Sequence, residues 1–215
     1  MAGLAETAVS KSILSVTTRN SDLARDVITD DITLNRMELS IEEQAFKLLA
    51  LRQPLATDLR FITSAMKISS DLERIGDLAV NIAERTLDLL TKPQLKPLID
   101  IPRMAQMAED MVRDALNAFV DHDDRLAREV CERDDLVDQL NNQVFRELLT
   151  YMMQDRGTIA RAVDLILVGR HLERIADHAT NIAEDVIYMV KGKTIKHHIE
   201  SRAGGPKSGE GGADA

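Results

Sequence analysis

Two acidic stretches, one hundred positions apart, hold the residue types and spacing in this chain that suggest chemistry. Residues 72 to 84 read Leu-Glu-Arg-Ile-Gly-Asp-Leu-Ala-Val-Asn-Ile-Ala-Glu, and residues 172 to 184 read Leu-Glu-Arg-Ile-Ala-Asp-His-Ala-Thr-Asn-Ile-Ala-Glu. On a helix, Glu73, Asp77, Asn81 and Glu84 form one stripe of oxygens, and Glu173, Asp177, Asn181 and Glu184 repeat it. Carboxylates four residues apart are neighbours, and such like-charge pairs cost a few tenths of a kcal/mol. A cost repeated in both copies has two readings. Arg74 and Arg174, three residues before Asp77 and Asp177, can neutralise them. Alternatively, a hard cation can gather the oxygens together with carbonyls or waters. The second reading needs further ligands from another helix.

The duplication supplies candidates for them. Leu126-Ala-Arg-Glu-Val130 mirrors Leu23-Ala-Arg-Asp-Val27, 103 positions earlier, and at that offset Asp134 and Asp138 have Asp31 and Asn35 as counterparts. If the second and third helices of a half pair antiparallel, each half can face four such residues across one seam. One site would comprise Asp31, Asn35, Glu73 and Asp77, the other Asp134, Asp138, Glu173 and Asp177. Asn35 leaves the first set one charge short, so weaker cation binding is expected there. His178 replaces Leu78 between the copies and reads as a helix-surface histidine rather than a nitrogen ligand.

The elements that must hold these residues are helices. Leu72, Ile75, Ala79 and Ile82, and their copies Leu172, Ile175, Ala179 and Ile182, make an apolar face beside each acidic stripe. Periodic apolar residues predict helices over about 1–19, 22–51 and 55–91, with Asn20-Ser-Asp22 as turn and N-cap and Gln53-Pro54 as a break. The pattern then restarts, with His122-Asp-Asp124 as the turn, Asp155-Arg-Gly157 as the break and a last helix over about 158–191. The offset falls from 103 to 100 between the second and third helices, so a connection there differs by three residues. Pro93, Pro97 and Pro102 mark a linker. The expected organisation is all-α: a bundle over 1–92, a linker over 93–102, a second bundle over 103–195 and a disordered tail over 196–215. His197-His198 in that tail reads as a solvated pair.

Composition narrows the function. Aromatics are 3% with no Trp, which favours helices packed on helices. The net charge of −9 and the absence of a basic patch argue against nucleic acid. Cys131 is the single cysteine, so neither an intramolecular disulfide nor a Cys-rich zinc site is possible. No apolar run reaches the length of a membrane span and no signal-peptide pattern opens the chain, so a cytoplasmic protein is expected. None of the five histidines has a Glu three residues before it, as a di-metal carboxylate enzyme would require, and no phosphate loop or nucleophile elbow is present. Catalysis is therefore not expected. The linker and the twofold repetition also argue against a continuous coiled-coil rod.

With these residues in view, the chain resembles the PhoU family of phosphate-uptake regulators. Arg52-Gln-Pro-Leu-Ala-Thr-Asp-Leu-Arg60, both Leu-Glu-Arg-Ile-Gly/Ala-Asp stretches and Leu149-Thr-Tyr-Met-Met153 carry the resemblance, which covers about residues 1 to 195. It implies two tandem three-helix bundles, frequently as a homodimer. It also implies divalent or transition metal ions (Mg, Mn, Fe or Zn) at E(D)xxxD motifs, matched here by Glu73/Asp77, Asp134/Asp138 and Glu173/Asp177. The implied role is that of an adaptor, not an enzyme. It joins the ATPase subunit of the phosphate ABC transporter to a phosphate-sensing histidine kinase, holds the starvation response off, and reaches the membrane only through those partners. Members usually begin with a longer first helix than this chain has. Direct binding of phosphate is a further possibility, opposed by the acidic stripes unless a cation bridges it.

Overall fold

The acidic stripes sit on the two longest helices among the described residues. The computed structural model describes residues 1–193, so the expected tail and its His197-His198 pair lie outside the described residues. Helices α1 (Ala2–Thr18), α2 (Ser21–Arg52) and α3 (Ala56–Leu90) form the first half. Helices α4 (Asp100–Asp121), α5 (Asp124–Gln154) and α6 (Ile159–Lys191) form the second, with a 3-10 turn at Arg156–Thr158. The described residues contain no strand, and the architecture is two tandem three-helix bundles, as the duplication predicts.

Local chemistry sets the boundaries. The Asn20 side chain accepts hydrogen bonds from the Asp22 and Leu23 amides at 2.9 and 3.3 Å, and Asp123 does the same for Arg125 and Leu126 at 2.9 and 3.1 Å. Each cap is preceded by a residue in the left-handed conformation, Arg19 or His122, both at φ 53°, which turns the chain back on itself. The three-residue difference lies in the break before the third helix: Arg52–Leu55 in the first half corresponds to Asp155 alone in the second. Helix α4 starts at Asp100, ahead of the expected end of the linker. Pro102 lies in its first turn, where a missing N–H has no intrahelical acceptor to lose.

One hydrophobic core runs through both halves. Both apolar stripes, from Leu72 to Ile82 and from Leu172 to Ile182, are buried in it. They meet because α3 and α6 pack antiparallel. Arg60 Nε donates to Met189 O at 3.3 Å, Ser64 Oγ to Asp185 O at 3.4 Å, and Arg85 Nη1 stands 3.7 Å from Asp164 Oδ1. Each step forward along α3 is therefore matched by a step back along α6. The buried carboxylates at this seam are partnered, Asp185 by Lys67 at 3.1 Å and Asp164 also by Lys92 at 3.5 Å, as buried charges must be.

The linker is fixed in place as well. Arg19 caps the end of α3 by donating to Leu89 O and Lys92 O at 3.2 and 2.7 Å. Arg161 donates to Pro93 O at 3.1 Å, and the buried Lys96 ammonium pairs with Glu147.

Candidate metal centres

In the first half, the face of α2 that packs on α3 carries Val27 and Leu34, both buried, with Asp31, Asn35 and Glu38 part-buried among them. Helix α3 presents Glu73 and Asp77 on either side of Gly76. That glycine lets the helices close in: a Cβ there would stand 3.1 Å from Leu34 Cδ2 and 3.3 Å from Asp31 Oδ1. Asp31 Oδ2 accepts from Asn35 Nδ2 at 2.9 Å, while Asp31 Oδ1 and Asn35 Oδ1 are buried without a partner. The Asp31 carboxyl is raised above its ordinary range, mainly by burial and further by Asp77, against the Asn35 hydrogen bond. Glu73 is raised by burial and then by Asp77, with Glu38 and Asp31 adding to it and Arg74 opposing.

The second half repeats the arrangement between α5 and α6. Asp134 and Asp138 flank the buried Val137, and the buried Asp134 Oδ1 and Thr180 hydroxyl lie beside each other, near enough for Thr180 to hold the Asp134 pKa down somewhat but short of a well-formed hydrogen bond. Burial first, then the charges of Asp177 and Asp138, push the Asp134 carboxyl up to about 6. Glu173 and Asp177 are raised too, each by burial and then by Asp138. Asn141 Nδ2 donates to Glu173 Oε2 at 3.1 Å. Gly169 allows this close approach, since a Cβ there would stand 3.0 Å from Asn141 Oδ1.

All eight residues singled out from the sequence thus fall into two groups, one per half: Asp31, Asn35, Glu73 and Asp77, and Asp134, Asp138, Glu173 and Asp177. The neutralisation reading holds in part. Arg74 lies 3.5 Å from Glu73 and 3.3 Å from Asp77, but it is largely exposed and leaves the inner oxygens of Asp31 and Asn35 unmet. Among the described residues, no three or more His, Cys, Asp or Glu side chains are already gathered closely enough to hold an ion. The carboxylates stand apart as mutually repelling charges around orphaned buried oxygens. Buried oxygens left unpaired among like charges are costly to the fold.

Sequence reasoning missed Glu38 and Asn141, which share one position of the duplication. The first site has its amide at Asn35 and an acid at Glu38; the second has an acid at Asp138 and its amide at Asn141. Glu38 lies near enough to raise Glu73, so a further acid borders the first group. The signal was in the offset, because Glu38 lies seven residues after Asp31, on the same helical face. His178 is also placed differently than expected. Its Nδ1 lies 2.8 Å from Asp71 Oδ1 across the seam between the halves, so it is part-buried there, and it also acts on neighbouring Asp177. Cys131 is half-buried, and burial, with Glu184 and Asp134, pushes its thiol up to about 11, so it stays protonated at neutral pH.

This architecture and its repeat have counterparts among known proteins. The family model described as PhoU domain matches twice, at residues 1–86 and 101–186. A phosphate-specific transport system accessory protein PhoU homolog of Aquifex aeolicus is 45% identical over 94% of this chain and 92% of its own length. The homolog of Zymomonas mobilis is 42% identical over 94% of this chain and 85% of its own. The crystal structure of PhoU from Pseudomonas aeruginosa superposes with a TM-score of 0.87 at 41% identity, covering 90% of this chain and 93% of that one. The regulatory protein PhoU of the Streptococcus pneumoniae phosphate transport system gives 0.85 at 31% identity, covering 91% and 92%. With two matched domains, close relatives and the same fold, the chain belongs to the PhoU family.

Proposed function

We propose that this protein is a metal-binding regulatory adaptor of phosphate homeostasis, acting in the cytoplasm as a homodimer. In this reading it holds the phosphate-starvation response off when phosphate is plentiful. It does so by linking the ATPase subunit of the phosphate ABC transporter to the sensor histidine kinase. Membership of a family of phosphate-transport accessory proteins supports the setting. No helix among the described residues is long and apolar enough to cross a membrane. In this reading the protein reaches the membrane through those partners. It acts through its helical surfaces, without catalysis.

The observation that carries the metal part is the pair of acidic groups with buried, unpartnered oxygens at Asp31, Asn35 and Asp134. Asp31, Glu38, Glu73 and Asp77, with the Asn35 carbonyl, would hold metal in the first half. Asp134, Asp138, Glu173 and Asp177 would hold it in the second. A divalent ion there, Mg, Mn, Fe or Zn, removes the repulsion within each group and ties α2 to α3 and α5 to α6. Replacing Glu173→Gln with Asp177→Asn keeps the shape and removes two charges. Elemental analysis should find less metal in the double variant, at unchanged helicity by circular dichroism. Equal metal in both proteins excludes these sites.

The regulatory part has its own test. Deleting the gene should switch on phosphate-starvation genes in phosphate-rich medium. Conservative changes at Cys131 or at the histidines should leave repression intact. A silent reporter in the deletion strain with normal phosphate uptake excludes the adaptor role.

A further inference from the structure

The duplication continues past α6. At the one-hundred-residue offset that relates α3 to α6, Leu95-Lys-Pro-Leu-Ile-Asp100 aligns with Ile195-Lys-His-His-Ile-Glu200. The Lys and the second Ile are identical, and Leu95/Ile195 and Asp100/Glu200 are like for like. In the first copy this segment is a built part of the fold. Lys96 is buried against Glu147 of α5, Arg161 of α6 holds Pro93, and Leu95 and Leu98 pack on the core. It lies across the hairpin of α5 and α6.

The matching hairpin of α2 and α3 is bare. From Asn35 to Arg52, α2 buries only Ala45, whereas the same length of α5 buries Leu140, Val144 and Leu148. Leu48 is 48% exposed where its counterpart Tyr151 is part-buried, and Phe61, at the position of Arg161, stays 43% exposed although its ring stacks on Phe119 at 5.6 Å. Helix α6 ends next to this face, with Arg60 of α3 bonded to Met189 O and lying against Gly192. The chain therefore leaves α6 at the foot of the bare hairpin with residues 194–215 still to run. Those residues begin with a basic stretch containing Lys196, His197 and His198, and the hairpin carries exposed Glu42 and Asp58, with Glu43 already paired to Lys47.

We propose that residues 194–200 dock on the α2/α3 hairpin as residues 94–100 dock on the α5/α6 hairpin. Lys196 takes the place beside Gln44 that Lys96 holds beside Glu147, and Ile195 covers the exposed apolar side chains.

Cross-linking in the full chain tests this. In a Cys131→Ser background, Gln44→Cys with Lys196→Cys is compared with Glu147→Cys and Lys96→Cys, oxidised at low protein concentration. Both pairs should close within one chain in most molecules. If only the control pair closes, the proposal falls. It also falls if the Gln44→Cys/Lys196→Cys pair closes only between two chains, because the face then belongs to a second copy. Hydrogen exchange gives an independent reading. Removing residues 194–215 should speed exchange of the amides from Ile41 to Arg52 about tenfold, whereas removing 201–215 should leave it unchanged. Equal exchange in both truncations overturns the proposal.

Discussion

Asp134 shows what the acidic groups cost in the absence of metal. Its folded carboxyl titrates at about 6 against 3.8 for a free side chain, so the folded state holds the proton more tightly than the unfolded chain. The cost to stability is therefore complete above about pH 6 and is relieved as pH falls toward 4. The shifts of Asp31, Glu73, Glu173 and Asp177 have the same sign. Melting temperatures in chelator should accordingly rise as pH falls from about 7.5 to about 5. Asp134→Asn should raise stability at pH 7.5 by on the order of 1 kcal/mol after solvent screening and flatten the pH slope. Added Mn²⁺ should reverse the order, stabilising wild type more than the variant. A metal-free wild type that melts lower at pH 5 than at pH 7.5 contradicts this account.

At the scale of helices, the packing of α2 on α3 turns on one small residue. Gly76→Ala gains about 1 kcal/mol of helix propensity but crowds Leu34 and Asp31, so little net change in urea unfolding is expected. Gly76→Val adds two methyl groups to the same contact and should lower stability clearly. Ile75→Asp or Ile175→Asp puts a charge at a fully buried position and should unfold the protein, which circular dichroism will read directly. The helices themselves were legible in the sequence because caps such as Asn20 and Asp123 and the apolar period coincide at their boundaries. The way α3 meets α6 was not. Their apolar stripes are near copies, and a stripe says which face is buried but not what buries it. Glu38 escaped for a related reason: a search for acids four apart passes over one set seven from Asp31, whose partner lies on another helix.

For the whole molecule, deleting Ser201–Ala215 should leave the melting temperature within experimental scatter, since that stretch has no apolar residue larger than Ala. The pairing of α3 with α6 has an older implication. A seam between two copies of one ancestral helix begins symmetric, and this one has since diverged on its two sides. Asp71 meets His178, but the positions that mirror them hold His171 and Leu78. Arg85 meets Asp164, while their mirror positions hold Asp185 and Ser64. Two second halves joined along this seam would set Asp164 against Asp185, one buried carboxylate facing another. The divergence of this seam favours pairing of a first half with a second half over pairing of two second halves. Produced as two polypeptides in one cell, the halves should be recovered by native mass spectrometry as the mixed pair, with the self-pair of the second half missing.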